Sequence, residues 1–181
     1  MRVALIGNRD LENEQHLDDV IKYHQVCYLF YKELIMSIKT LGVSGTRHGM
    51  SEQQRSSLHL VLNKLLTEFK DLKYLRHGQC VGVDVEVANI LYVDFKFHII
   101  SHPPVKTTTI GSCFNNQTLP PKSYFARNRD IVNCSDIMIV IPYTQEKLNY
   151  GGTWYTYDYA IKNKKPTILI SPCGSITYLN F

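Results

Sequence analysis

A glycine turn between an apolar run and a helix-like stretch is the strongest structural signal in this sequence. Residues 137–142 read Ile-Met-Ile-Val-Ile-Pro, a run typical of a buried strand, and residues 154–163 continue in a helix-like pattern. Between them lie Gly151, Gly152 and Thr153. The first N–H groups of a helix have no intrahelical partner and attract anions. This junction therefore predicts a buried strand that leads into a phosphate-binding helix N-terminus.

Two further strand-to-helix junctions of the same kind lie upstream. Residues 42–47 read Gly-Val-Ser-Gly-Thr-Arg, and residues 77–84 read His-Gly-Gln-Cys-Val-Gly-Val-Asp. In an open α/β sheet such loops gather at one edge, outside the carboxyl ends of the strands. We therefore expect the three junctions to form one site for a phosphorylated small molecule.

The remaining hydrophobic pattern alternates between strands and helices, with a surface loop at residues 105–121. An extra N-terminal β-α unit is expected at residues 1–40, with a strand at 2–6 and a helix within 16–39. The main domain, residues 41–181, is expected to be an α/β, Rossmann-like parallel sheet with helices on both faces. Its strands are predicted at 41–44, 73–76, 97–101, 137–141 and 167–170, and its helices at 51–70, 83–93, 124–134 and 153–163.

Composition narrows the class of partner. The chain has 181 residues and a formal net charge of +4, with Lys and Arg scattered along it rather than gathered into a run. This makes an anionic ligand of modest size a better fit than nucleic acid. The five cysteines are odd in number and lack Cys-x-x-Cys spacing, which favours a reducing, cytoplasmic setting without a metal site. No apolar stretch predicts a membrane span, and no cofactor is expected.

Taken together, the junctions resemble the SLOG superfamily, the Rossmann-like group that includes the Lonely Guy phosphoribohydrolases and the DNA-processing protein of transformation. The resemblance covers residues 41–174. It rests on Val-Ser-Gly-Thr-Arg at 43–47, His-Gly-x-Cys-x-Gly-x-Asp at 77–84, Arg-Asn-Arg-Asp at 127–130 with Ser135-Asp136, and the Gly-Gly-Thr turn. It implies a nucleotide-type ligand, a homodimer and a use in conflict between bacteria and their viruses.

The same resemblance exposes a missing catalytic group. The Lonely Guy enzymes use an arginine before the fourth strand, which Arg127 matches, and a glutamate three residues after the Gly-Thr of the next turn. Thr156 occupies that second position here, and Asp158 should face elsewhere on the helix. Cleavage of a glycosidic bond benefits from a nearby carboxylate. A second family, the nucleoside deoxyribosyltransferases, resembles the C-terminal half through the strand after Asp136 and the Gly-Gly-Thr turn. That family also relies on a glutamate, and catalysis here is left open through Asp84 or Glu86.

Residues of the two upstream junctions are candidate ligand contacts, and each also has a purely structural explanation. Gly45 and Thr46 are expected to present backbone N–H and hydroxyl donors to a phosphate, with Arg47 adding charge, unless the segment is an ordinary turn. Gly78 and Gly82 permit a close approach of the backbone. Asp84, which follows Gly82 by two residues, either accepts hydrogen bonds from ribose hydroxyls or caps its helix.

The two helices that follow supply further candidates. Arg127 and Arg129 are two positions apart on a helix and cannot both enter one pocket. The resemblance to the Lonely Guy enzymes implies that Arg127 is the ligand contact, because its spacing matches their arginine. Asn128 is a candidate for hydrogen bonding to the base or the sugar of the ligand. Trp154, the only tryptophan, either stacks on a nucleobase or packs in the core.

These observations predict a domain that senses or sequesters a nucleotide or nucleotide-derived ligand. The first alternative is an N-glycosidic hydrolase or transferase acting on nucleoside monophosphates. The second alternative is binding of single-stranded nucleic acid, which would require a continuous basic groove.

Overall fold

The computed structural model describes residues 20–29, 33 and 37–181. The chain divides into two units, Met1–Ser37 and Ile38–Phe181. In the first unit, residues 20–29 form an exposed helix, α1. The strand predicted at residues 2–6 lies outside the described residues.

The second unit contains the five strands and four helices that the sequence predicts, and their predicted bounds agree with the observed ones to within two residues. Two strands were not predicted: Gln117–Thr118, which lies within the predicted surface loop, and Ile176–Leu179, which follows the last predicted strand. A 3₁₀ turn, Thr107–Thr109, lies in the predicted surface loop. The strands are β1 Thr40–Gly45, β2 Tyr74–His77, β3 His98–Ser101, β4 Gln117–Thr118, β5 Ile137–Ile141, β6 Thr167–Ile170 and β7 Ile176–Leu179, and the helices are α2 Glu52–Glu68, α3 Val83–Val93, α4 Tyr124–Asn133 and α5 Gly152–Lys162.

The seven strands form one sheet in the order β4-β3-β2-β1-β5-β6-β7. All neighbours are parallel except β6 and β7, which are antiparallel. The chain runs outward from β1 to β4 and then crosses back to β5, which pairs with β1 along its whole length. The strand order therefore reverses between β1 and β5, and ligands of open α/β sheets bind at such a point.

Helices cover both faces of this sheet. The right-handed crossovers that usually connect parallel strands predict α2 and α3 on one face and α4 and α5 on the other, in agreement with the packing of α4 against α5. The core is apolar, since side chains such as Leu41, Leu75, Ile139 and Ile168 are fully or almost fully buried in the sheet. The predicted α/β, Rossmann-like class is confirmed.

Local contacts hold the ends of the central strands in place. The Asp136 carboxylate accepts hydrogen bonds from the backbone N–H groups of Lys39 and Thr40, which ties the start of β1 to β5. Ser51 caps α2 in a reciprocal capping box with Gln54. The Gln54 amide also donates to the carbonyl of Pro142 directly after β5. The Thr46 N–H donates to the Ile141 carbonyl, which fixes the carboxyl ends of β1 and β5 relative to each other.

Candidate functional site

A cavity of about 470 Å³ opens at the carboxyl ends of β1 and β5. Four segments line it: the loop after β1, the loop after β2 with the start of α3, the start of α4, and the start of α5. The lining residues are Ser44, Gly45, Thr46, Arg47, His48, Cys80, Asp84, Tyr124, Phe125, Arg127, Asn128, Gly151, Gly152 and Thr153. Nine of the twelve predicted ligand contacts thus meet at one place, whereas Gly78, Gly82 and Trp154 are outside the lining. The candidate catalytic residue Glu86 is also outside it.

The start of α5 presents backbone donors to this cavity. Gly151 is the N-cap, with φ 97°, and no side chain in the described part of the chain caps the helix. The first turn contains no acidic residue. Because Tyr155 is the first residue whose N–H bonds back into the turn, to the Gly151 carbonyl, the N–H groups of Gly152, Thr153 and Trp154 have no intrahelical partner. This end of α5 can therefore accept an anion.

Arg127 is a buried cation with an incomplete set of partners. Only 6% of the residue is exposed. Its Nη2 donates to the Cys80 sulfur at 3.0 Å, and its Nη1 lies 3.7 Å from the Asp84 carboxylate. Among the described residues, its Nε is buried without a hydrogen-bond partner. A guanidinium has five N–H donors, so most of its donor capacity is not used by this part of the chain.

Gly78 does not line the cavity, but it leaves room for the guanidinium of Arg127. A Cβ at Gly78 would lie 1.0 Å from Arg127 Nη1. Only a residue without a side chain lets the guanidinium lie across this point of the backbone. The close approach that the sequence predicted at Gly78 is therefore made by a side chain of the protein itself.

Gly45 and Gly82 allow the loop after β1 to pack against the start of α3. A Cβ at Gly45 would lie 2.3 Å from a methyl carbon of Val83. A Cβ at Gly82 would lie 2.5 Å from the carbonyl oxygen of Thr46, and Gly82 has φ +86°. A side chain at either position would push the two segments apart.

The loop after β1 offers fewer backbone donors than the sequence suggested. The Thr46 N–H already donates to the carbonyl of Ile141, so it does not face a ligand as expected. The Thr46 hydroxyl accepts a hydrogen bond from the His48 N–H at 3.2 Å, which leaves its own proton to donate. Arg47 is exposed, with its Cζ 5.4 Å from the centre of the Tyr124 ring. Its contribution to the cavity is therefore a side-chain charge.

The two candidate catalytic carboxylates have different surroundings. Asp84 lines the cavity, and its Oδ2 accepts a hydrogen bond from the Cys80 N–H at 3.1 Å, ordering the loop ahead of α3. Glu86 instead pairs with Arg55 at 2.7 Å and accepts from the Met50 N–H. Asp84 is thus available to the cavity, whereas Glu86 is held in a structural contact away from it.

Residues at the start of α5 turn away from the cavity after Thr153. Trp154 is buried, with its indole N–H donating to the Thr144 hydroxyl at 3.2 Å. This is the packing alternative rather than an exposed stacking surface. Thr156 is fully buried and its hydroxyl donates to the Gly152 carbonyl. Asp158 forms an exposed ion pair with Lys147, so it faces elsewhere as predicted.

Sequence reasoning missed five lining residues: Ser44, His48, Cys80, Tyr124 and Phe125. Phe125 is the most notable because it is 55% exposed while its ring packs against Tyr155, with centroids 4.4 Å apart. Two signals were present in the sequence: Cys80 lies within the second glycine motif, and both aromatic residues begin the helix that carries Arg127.

Two histidines at the ends of β2 and β3 are structural. His77 is fully buried, and its Nδ1 accepts the Gln79 N–H, so Nε2 carries the proton that faces Ser101 and Asn115. Burial lowers the pKa of His77. Burial, followed by the charge of Arg76, lowers the pKa of His102 to about 4. Neither histidine lines the cavity.

Acidification is expected to destabilise the protein through these histidines. Because the pKa of His102 is lowered to about 4 from 6.5, its contribution to stability is complete above pH 6.5 and is lost as the pH falls towards 4. Between pH 7.5 and pH 5 the free energy of unfolding should fall by about 2 kcal/mol from His102 alone. Urea unfolding of the wild type and of His102→Gln checks this, since the variant should lose less by that amount. An equal loss in both proteins would exclude His102 as the cause.

The described part of the chain shows neither a metal-binding cluster nor a membrane-spanning helix. Among the described residues, no group of three or more His, Cys, Asp or Glu side chains is placed to hold a metal ion. Within the same part of the chain, no helix has both the length and the apolar character needed to cross a bilayer.

Comparisons with known proteins give the fold and no family. No protein-family model matches this chain, and no curated protein matches it significantly. The molybdenum cofactor binding protein of Rippkaea orientalis has a similar structure, with a TM-score of 0.57 and 22% sequence identity over 75% of this chain and 78% of that protein. DNA processing protein A of Helicobacter pylori, which binds single-stranded DNA, gives a TM-score of 0.50 and 20% identity over 76% of this chain and 67% of its own. Both likenesses support a Rossmann-like α/β fold.

Proposed function

We propose that residues 41–181 form a SLOG-type domain that binds a nucleotide or nucleotide-derived ligand in the cavity at the switch point, and so senses or sequesters it. The observation that carries this proposal is the buried, incompletely paired guanidinium of Arg127. The start of α5 supports it independently, because Gly151, Gly152 and Thr153 line the same cavity and the first N–H groups of a helix attract anions.

The chemistry of Arg127 favours an oxyanion. Burying a cation without good partners is costly, and a sulfur acceptor with a carboxylate at 3.7 Å compensates that cost only in part. A phosphate oxygen would accept the strong charge-assisted hydrogen bonds that Arg127 lacks. Its other oxygens could accept from the N–H groups of Gly152 and Thr153. Both sets of donors suit one phosphate group.

The remaining lining residues suit a nucleoside. The exposed face of Phe125 offers a stacking surface for a base, held rigid by Tyr155 behind it. The Asn128 amide N–H donates to the Gly152 carbonyl, which leaves its oxygen to accept from the ligand. Asp84 supplies an acceptor for ribose hydroxyls. A cavity of about 470 Å³ lies in the range used for small-molecule ligands.

Two alternatives remain testable. The fold is shared with a protein that binds a cofactor and with one that binds single-stranded DNA, so the fold does not exclude nucleic acid. A hydrolase or transferase acting on nucleoside monophosphates would need a carboxylate at the sugar, and Asp84 is the carboxylate that lines the cavity.

From the resemblance we also propose a cytoplasmic homodimer with a role in defence against viruses.

Small molecules released by heating the purified protein are expected to include a nucleotide, detected by mass spectrometry. Incubation with a panel of nucleotides should raise the melting temperature and return each compound unchanged. Release of free base from a nucleoside monophosphate would instead support the hydrolase, provided that Asp84→Asn abolishes it. The proposal is wrong if heating releases no nucleotide and no compound in the panel raises the melting temperature.

A further inference from the structure

Two cationic side chains of the cavity lie over the same aromatic ring. The Cζ atoms of Arg47 and Arg127 are 5.4 and 5.8 Å from the centre of the Tyr124 ring. The Tyr124 hydroxyl is 2.9 Å from the Thr109 hydroxyl, which holds the ring in position. The face of an aromatic ring attracts cations, so Tyr124 can hold both guanidinium groups near the ligand despite their mutual repulsion.

The two arginines differ in burial and in counter-charge. Arg127 is buried and has Asp84 nearby. Arg47 is exposed, and among the described residues no carboxylate lies within ion-pair distance of it. A single phosphate on Arg127 and the start of α5 would satisfy the inner cation and leave the outer one without an anion.

From this arrangement we propose that the ligand carries two linked phosphates. The inner phosphate accepts hydrogen bonds from Arg127 and from the N–H groups of Gly152 and Thr153. The outer phosphate pairs with Arg47 and accepts from the Thr46 hydroxyl. This inference rests on the proposed function and narrows the ligand to compounds that contain a diphosphate group, such as nucleoside diphosphates and dinucleotides.

Inorganic phosphate and inorganic pyrophosphate test the inference without a choice of base. Titration calorimetry at constant ionic strength should show that pyrophosphate binds the wild type at least about tenfold more tightly than phosphate, the size of effect expected for one added charge-assisted contact. Arg47→Gln should remove most of that ratio while leaving the affinity for phosphate nearly unchanged. Arg127→Gln should weaken the binding of both anions.

Arg129→Gln is the matched control for general electrostatics. Arg129 is exposed on the same helix as Arg127 and donates to the Tyr155 hydroxyl, outside the cavity lining. Its replacement removes the same charge and should leave the ratio at the wild-type value. Equal ratios in Arg47→Gln and the wild type, or an equal fall in Arg47→Gln and Arg129→Gln, would overturn the two-phosphate inference. In that case a nucleotide released on heating, or one that raises the melting temperature in the panel experiment, would still support the proposed function. If heating releases no nucleotide and no compound in the panel raises the melting temperature, both proposals are wrong.

Discussion

Arg127→Gln is expected to weaken nucleotide binding by about 30- to 1000-fold. This corresponds to about 2–4 kcal/mol, the loss seen when one partner of a buried, charge-assisted contact is removed. The physical reason is that Arg127 provides the buried positive charge of the cavity, and glutamine can supply neither the charge nor the fork of donors. Titration calorimetry with the nucleotide recovered from the protein measures the change.

The control for this prediction is Arg129→Gln, which makes the same substitution two residues away on an exposed face. It should bind within about threefold of the wild type, since an exposed charge outside the site contributes little. Circular dichroism must show that both variants unfold cooperatively. Wild-type affinity in a folded Arg127→Gln protein would mean that the ligand binds elsewhere.

Gly78→Ala is expected to have the second-largest effect, because the new methyl group would occupy the position of Arg127 Nη1. The guanidinium is the end of a flexible side chain, so we expect it to shift rather than the backbone. The cost in stability should therefore be about 1 kcal/mol, the low end for an overpacked site. Nucleotide affinity should fall by about tenfold or more, because a displaced guanidinium no longer matches the phosphate. Urea unfolding and titration calorimetry measure the two effects.

A double-mutant cycle separates the clash with Arg127 from a backbone effect. In an Arg127→Ala background the guanidinium is absent, so Gly78→Ala should be neutral or should stabilise the protein by about 0.4–1 kcal/mol. The stabilisation would arise because alanine lowers the conformational entropy of the unfolded chain. The same destabilisation in both backgrounds would show that Arg127 is not the group displaced.

The regular elements could be predicted wherever burial leaves a clear pattern. Ile137–Ile141 is a fully buried strand and reads as a continuous apolar run, so its bounds were predicted without error. The two missed strands lack such a pattern. β4 has two exposed residues, and β7 is a half-exposed edge strand that pairs antiparallel with β6 after a turn at Gly174. Short edge strands depend on their neighbours for definition, and no local periodicity marks them.

The candidate site could be predicted as a set of loops but not as a set of side-chain directions. The order and spacing of the sequence motifs predicted the glycine turn at Gly151 and favoured Arg127 over Arg129. In the structure, Gly151 and Arg127 both line the cavity. Trp154 is only one residue beyond the lining, yet its ring is buried against the loop that carries Thr144. One step along a helix turns a side chain by about 100°. The direction that results is decided by packing against other segments.

The amino-acid sequence by itself determined the alternation of strands and helices, the glycines at their junctions and the absence of an acidic residue at Thr156, because these are local properties of composition and period. Only the tertiary structure decided that Gly78 makes room for a guanidinium, that Glu86 pairs with Arg55, and that two arginines share the Tyr124 ring. These contacts join residues up to 77 positions apart, as between Arg47 and Tyr124. Their partners are fixed by the order of the strands and by the packing of helices on the sheet, which no local pattern encodes.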